Sequence, residues 1–134
     1  MTNPPNRKHV LGLYGEKLAG NYLQSLGYEI LERNWRCTLG EIDLIVRDQA
    51  RYVFVEVKTR NGAGFGHPFE AITEVKLSRL RRLVSEWCRS RQLSGIDVRI
   101  DAVSVLVDRG RRDEHDDRQR DHDHADRAEL TLEV

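Results

Sequence analysis

Hydrophobic residues recur at every third or fourth position in two parts of the chain, which is the spacing of an amphipathic helix. The first part covers residues 7–26, and Gly27 follows at the position where helices commonly end. Its apolar stripe consists of Val10, Tyr14, Leu18, Tyr22 and Leu26. The second part begins near Phe69 or Glu74 and ends near Gln92, and its apolar face consists of Ile72, Val75, Leu80, Leu83, Val84, Trp87 and Cys88.

Between and after these helices, polar and apolar residues alternate with the period of two that is typical of a half-buried strand. The segments that predict strands are residues 28–36, 41–47, 52–59 and 98–107. The third of them alternates along its whole length and is rich in β-branched and aromatic residues. A short polar break at residues 48–51 separates the second strand from the third, which favours a hairpin.

The element order is therefore α-β-β-β-α-β, which predicts an α/β domain with a central mixed β-sheet flanked by helices. We assign the domain to residues 7–107 and expect residues 1–6 to be disordered. Residues 108–129 are almost wholly charged and cannot bury enough apolar surface to offset the entropy of ordering, so they predict a disordered tail. Residues 130–134 alternate again and are a candidate terminal strand.

The net charge of the 134 residues is zero, but the charge is unevenly distributed. Residues 1–107 carry 16 Lys and Arg against 12 Asp and Glu, whereas residues 108–129 carry 6 against 9. The predicted domain is therefore mildly basic, which permits phosphate binding without requiring it. Because the chain has no run of about 18 apolar residues and no apolar signal segment at its start, we expect a cytoplasmic protein without a membrane partner.

Charged residues interrupt the apolar pattern in the middle of the predicted hairpin. If the turn is centred between residues 49 and 50, Asp43 lies opposite Glu56 and Glu41 lies opposite Lys58, all four on one face. Two facing carboxylates destabilise a sheet unless something compensates, and Mg²⁺ prefers such oxygen ligands. Lys58 would then orient water and neutralise charge on a phosphate. The alternative is an ordinary exposed strand face with an incidental Glu-Lys pair.

Three motifs resemble those of the YraN family of small bacterial proteins, which is assigned to the restriction-endonuclease-like, PD-(D/E)xK nuclease superfamily. They are Gly-Glu-Lys-Leu-Ala at 15–19, Gly-Glu-Ile-Asp-Leu-Ile at 40–45 and Phe-Val-Glu-Val-Lys-Thr-Arg at 54–60. The resemblance implies a restriction-endonuclease-like fold in which Asp43 and Glu56 bind the metal and Lys58 assists catalysis. The chain is also similar to archaeal Holliday-junction resolvases, and that similarity adds Glu16 to the metal-binding and catalytic residues.

The resemblance implies an endonuclease that uses Mg²⁺ or Mn²⁺ to hydrolyse DNA phosphodiesters, with branched or single-stranded DNA as the candidate substrates. It also makes a homodimer a candidate state, since resolvase-like proteins act as dimers. Candidate nucleic-acid-binding residues are Arg60, Lys76, Arg79 and Arg82. The alternative for the three on the second helix is a solvated face without a ligand.

Two other functions remain open from the sequence. One is a nucleic-acid-binding module that keeps the nuclease fold without catalysis, and the other is a protein-interaction adaptor. The glycine-rich segment 61–68 predicts a flexible loop beside the site, in which Phe65 is a candidate to stack on substrate. Arg99 and Asp101 on the last strand predict a structural ion pair.

Overall fold

A five-stranded sheet lies between two helices in the computed structural model, which describes residues 7–61, 73–108 and 127–133. The elements are α1 (Arg7–Ser25), β1 (Glu29–Cys37), β2 (Gly40–Asp48), β3 (Arg51–Asn61), α2 (Glu74–Ser90), β4 (Asp97–Asp108) and β5 (Arg127–Glu133). The α/β class and the order α-β-β-β-α-β are confirmed. Of the two predicted starting points for the second helix, Glu74 is the observed one.

The strands lie in sequence order across the sheet, from β1 at one edge to β5 at the other. Neighbouring strands are antiparallel except β3 and β4, which are parallel and are connected through α2. The sheet is therefore mixed, as predicted. The terminal strand has the bounds Arg127–Glu133, whereas the sequence predicted it at 130–134. The predicted disorder of residues 1–6 and of most of the charged tail lies outside the described residues.

The two helices cover opposite faces of the sheet. Side chains along a strand alternate between the two faces, and they form two separate core clusters, one under each helix. The cluster under α1 consists of Ala19, Leu23, Leu44, Val46, Val53, Val55, Val103, Val105 and Val107. The cluster under α2 consists of Ile42, Ile45, Phe54, Leu80, Leu83, Val84 and Trp87. No helix in the described part of the chain has the length and apolarity needed to cross a membrane.

Trp87 fixes α2 to the sheet through both its ring and its indole N–H. Its ring lies edge-on to Phe54 at a centroid distance of 5.3 Å and tilted against Tyr52 at 5.8 Å. Its Nε1 donates to Glu32 Oε2 at 2.7 Å, and Arg91 forms an ion pair with the same carboxylate. The buried indole therefore has both an apolar contact and a polar partner, as a buried Trp requires.

Both helices end in the same backbone motif, but with different residues at its left-handed position. In α1 that residue is Gly27, with a φ of 96°, and the N–H of Tyr28 donates to the carbonyl of Leu23. In α2 it is Gln92, with a φ of 55°, and the N–H of Leu93 donates to the carbonyl of Cys88. Glycine adopts this conformation without strain, whereas a residue with a Cβ does not.

We therefore expect Gln92→Gly to raise the free energy of unfolding by about 1 kcal/mol, the cost of a left-handed residue that has a Cβ. Chemical denaturation of the two proteins measures the difference. The matched control is Ser78→Gly on the exposed face of α2, where glycine loses helix propensity and should lower stability by about 0.5–1 kcal/mol. Equal effects of the two substitutions would contradict the assignment of strain to Gln92.

The register of the β2–β3 hairpin is the one that the polar break predicted. Leu44 pairs with Val55 and Asp48 pairs with Arg51, so the two-residue turn is Gln49-Ala50. Pairing in regular register ends at Leu44 and Val55, one residue before Asp43 and Glu56. The two strands therefore separate at the position of the predicted carboxylate pair.

The strict alternation that placed the four charged residues on one face does not hold across Asp43. Ile42 packs in the cluster under α2, whereas Leu44, two residues later, packs in the cluster under α1. Asn34 lies opposite Asp43 in the β1–β2 register and has a left-handed φ of 52°. The change of face on β2 therefore coincides with an irregular backbone position on the neighbouring strand β1.

Candidate metal centre

Asp43 lies where β2 and β3 separate, and its carboxylate reaches the backbone of β3. Its Oδ2 accepts a hydrogen bond of 2.7 Å from the N–H of Val57. The side chain thus takes the place of a β2 carbonyl that would have accepted from Val57 in a continued ladder. This contact holds the carboxylate beside the Glu-x-Lys segment of β3, which contains Glu56 and Lys58.

Two further carboxylates meet Asp43 at this point. Glu16 comes from α1, and Glu41 comes from β2, two residues before Asp43. One carboxylate oxygen from each of the three residues lies within 4.8 Å of the other two, and we call Glu16, Glu41 and Asp43 the acidic centre. That spacing is short enough for three oxygens to bind one cation, since Ca²⁺ and Mg²⁺ take oxygen ligands at about 2.0–2.6 Å.

The electrostatics of the site oppose ionisation of Asp43. Burial raises its pKa to about 7, and the negative charges of Glu16, Glu56 and Glu41 act in the same direction. The hydrogen bond from Val57 opposes the shift but does not cancel it. A carboxyl group that is desolvated beside three other acidic groups is stabilised by a proton or by a cation.

Glu56 approaches the same centre from β3. Its Oε2 is buried and has no hydrogen-bond partner among the described residues. It contributes to the raised pKa of Asp43, although the group of three close oxygens does not include it. A buried carboxylate oxygen without a donor costs folding free energy, about 1–3 kcal/mol or more. A hydrogen-bond donor or a cation would satisfy this oxygen.

The predicted ligands Glu16 and Asp43 are therefore brought together, and the charge of Glu56 acts on Asp43. Glu41 is the ligand candidate that the sequence did not single out as a metal ligand. Its position two residues before Asp43 was the available signal, but the same spacing is common on solvated strands. Glu41 also lies 3.5 Å from Arg36, and its side chain is about one-third exposed.

Lys58 and Arg60 continue β3 beyond Glu56, and both are half-buried. Lys58 pairs in register with Ser104 of the parallel strand β4, and Arg60 pairs with Leu106. One residue separates Glu56 from Lys58, and one residue separates Lys58 from Arg60. Along β3, the acidic Glu56 is therefore followed by the cationic Lys58 and Arg60 at every second position.

Three of the predicted nucleic-acid-binding residues lie on α2, which packs beside the beginning of β2. Arg79 and Arg82 are exposed, whereas Lys76 is half-buried near the start of the helix. A Cβ built on Gly40 would contact the side chain of Leu83 at 3.5 Å, so the middle of α2 lies next to the residue that precedes Glu41. Phe65 and its glycine-rich loop lie outside the described residues.

The predicted ion pair between Arg99 and Asp101 is confirmed and is almost completely buried on the Asp101 side. Nε and Nη2 of Arg99 donate to the two carboxylate oxygens of Asp101, both at 2.9 Å. Nη2 also donates to the hydroxyl of Tyr28 at 2.8 Å. Asp101 is 1% exposed, and the two-pronged pair satisfies it without any contribution from the acidic centre.

Comparison with known proteins gives one consistent result. The sequence profile of the uncharacterised protein family UPF0102 matches residues 15–105. A UPF0102 protein of Beutenbergia cavernae is 52% identical over 99 residues, which cover 74% of this chain and 84% of that relative. UPF0102 proteins of Nocardia farcinica and Clavibacter michiganensis are each 50% identical over 78% of this chain, and the match covers 83% and 88% of those relatives. The matched region contains the whole acidic centre.

Proposed function

This chain belongs to the uncharacterised protein family UPF0102, and from that premise we propose that it is a divalent-cation-dependent endonuclease that hydrolyses phosphodiesters of DNA. The membership agrees with the resemblance to the YraN family. The main observation that supports the proposal is that carboxylate oxygens of Glu16, Glu41 and Asp43 lie within 4.8 Å of one another. Carboxylates are the oxygen ligands that Mg²⁺ and Mn²⁺ prefer, so a group of three at this spacing suits either cation.

The residues present fit a cation on two independent grounds. Asp43 has a pKa raised to about 7, so its ionised form is poorly stabilised by the protein alone. Glu56 has a buried oxygen without a hydrogen-bond donor among the described residues. Glu16, Glu41, Asp43 and Glu56 would hold the cation between them. When bound, it would supply Lewis acidity toward a phosphodiester oxygen.

Lys58 is the proposed catalytic residue that is not a ligand. Its ammonium group, two residues beyond Glu56, would hold the attacking water and neutralise charge that develops on the phosphate. Arg60 and the exposed Arg79 and Arg82 would bind the DNA backbone, with Lys76 beside them. These contacts carry no base-specific information, so the proposal predicts a preference for DNA structure rather than for DNA sequence.

The test is to incubate the full chain with branched, single-stranded and duplex DNA in the presence of Mg²⁺ or Mn²⁺. We expect cleavage of at least one of these substrates and a loss of about 100-fold or more in Glu56→Gln and Lys58→Ala, because each removes a group that acts on the reacting phosphate. The matched control is Glu29→Gln, which removes an exposed carboxylate at the beginning of β1 that is not part of the group of acidic residues. Cleavage that persists in Glu56→Gln at the control rate would contradict the assignment.

Measurements of DNA binding distinguish the proposed endonuclease from a non-catalytic binding module and from a protein-interaction adaptor. DNA binding that is independent of the cation, with no cleavage of any substrate, would favour the non-catalytic binding module. An absence of DNA binding at low salt, where phosphate contacts are strongest, would favour the adaptor. Arg79→Ala and Arg82→Ala should weaken binding to all DNA substrates alike and reduce its salt dependence.

A further inference from the structure

The first helix and the third strand make an unusually close contact one residue away from the acidic centre. Gly15 of α1 is buried against Thr59 of β3. A Cβ built on Gly15 would lie 2.7 Å from both Cβ and Cγ2 of Thr59, and closer still to its hydroxyl oxygen. No side chain fits at position 15 unless the helix or the strand moves.

The two residues in this contact are the sequence neighbours of two residues of the site. Gly15 precedes Glu16, and Thr59 follows Lys58. Because Glu16 reaches Glu41 and Asp43 from a different element, its carboxylate meets theirs only if α1 lies at the right height above the sheet. The backbone of α1 at Gly15 rests directly on Thr59, so this contact sets that height.

We propose that Gly15 and Thr59 are positioning residues, which place the Glu16 carboxylate within reach of Glu41 and Asp43 and thereby set the affinity of the centre for divalent cations. The inference rests on the proposed cation-dependent function and adds two residues to it that touch neither cation nor DNA. A residue that orients a ligand commonly changes metal affinity by about 10–100-fold when it is replaced.

The competing explanation is that Gly15 serves only close packing and stability. Gly12 provides the matched control, because it lies one turn earlier on the same helix and a Cβ there would meet no atom within 4 Å. Gly20 provides a second control. A Cβ there would lie 2.5 Å from Nη1 of Arg33, the flexible end of a long side chain that can move aside.

The experiment titrates each full-length protein with Mn²⁺ alone and measures affinity by calorimetry. We expect Gly12→Ala and Gly20→Ala to bind like the wild type, whereas Gly15→Ala binds about 10-fold more weakly or worse. Thr59→Gly removes the atoms that a Cβ at position 15 would meet. The double variant Gly15→Ala/Thr59→Gly should therefore regain the affinity of Thr59→Gly. Denaturation of each protein without Mn²⁺ shows whether the loss of affinity in Gly15→Ala exceeds what its loss of stability explains.

A folded Gly15→Ala with wild-type affinity would overturn the inference. If Gly15→Ala does not fold, the comparison of the double variant with Thr59→Gly decides, and weaker binding by the double variant overturns the inference. A wild-type protein that binds no Mn²⁺ would instead contradict the proposed function. The amide resonance of Val57, which donates to Asp43, then serves as the metal-free readout. It should shift in Gly15→Ala and not in Gly12→Ala, and the same resonance position in both would overturn the inference.

Discussion

Without divalent cations, the protein should become less stable as the pH rises from about 4 to about 7, and Asp43→Asn should remove most of this loss. The folded-state pKa of Asp43 is about 7, whereas an unfolded chain has the ordinary value of 3.8. Below pH 4 both states hold the proton, so the full stability is present. Between the two pKa values only the unfolded state releases the proton, which favours unfolding.

The expected loss is at most about 4 kcal/mol, since one pKa unit corresponds to about 1.4 kcal/mol. Chemical denaturation across this pH range, in the presence of a chelator, measures it in the wild type and in Asp43→Asn. Asp48→Asn is the matched control, because Asp48 is exposed at the hairpin turn. Added Mn²⁺ should restore stability to the wild type at pH 7, since a ligand that binds only the folded state stabilises it.

A flat stability profile for the wild type over this pH range would contradict the raised pKa. A sloped profile that Asp43→Asn leaves unchanged would assign the titration to another group. The response to Mn²⁺ tests a separate claim. If stability depends on pH as expected but does not increase with Mn²⁺, the raised pKa of Asp43 is supported and the proposed metal site is contradicted.

Replacing Asp101 by Ala should lower the free energy of unfolding by about 3–5 kcal/mol, the range for removing one partner of a buried ion pair. Asp101 is 1% exposed, and both of its oxygens accept from Arg99. Without the carboxylate, the guanidinium keeps only the hydroxyl of Tyr28 as a partner among the described contacts. Its charge is then partly buried and uncompensated.

Thermal and chemical denaturation measure the loss, and the double variant Arg99→Leu/Asp101→Leu tests its cause. We expect the double variant to be more stable than Asp101→Ala, because apolar residues replace the pair without leaving a buried charge. Tyr28→Phe should cost about 1.5–3 kcal/mol, the range for one hydrogen bond to a charged group. A double variant that is less stable than Asp101→Ala would show that the pair stabilises the fold beyond compensating its own charges.

The sequence predicted the parts of the structure that depend on local patterns. The polar break at 48–51 fixed the register of the hairpin, because a two-residue turn leaves only one way to pair the flanking strands. Alternation along β3 predicted that Glu56 and Lys58 lie on one face. The last residue of α1 was predictable within one position, because Gly27 is suited to the left-handed backbone that ends a helix.

The parts that the sequence did not predict depend on contacts between distant segments. The change of face at Asp43 coincides with the left-handed backbone of Asn34 on the neighbouring strand, and no periodicity within β2 reveals it. The place of Glu41 in the cluster depends on the packing of α1, which carries Glu16, against the sheet, and the sequence around Glu41 does not reveal that packing. Glu16 itself was predicted from the resemblance, since an acidic residue on a helix is by itself usually solvated.

The acidic centre joins the first helix of the chain to the second strand, which begins fifteen residues after that helix ends. Glu16 belongs to α1, whereas Glu41 and Asp43 belong to β2. A cation held by all three would link α1 to β2 across the intervening segment, which contains β1. Its release would have to precede the departure of α1 from the sheet, so it would slow unfolding more than it speeds folding. The centre would then set the lifetime of the folded protein as well as its chemistry.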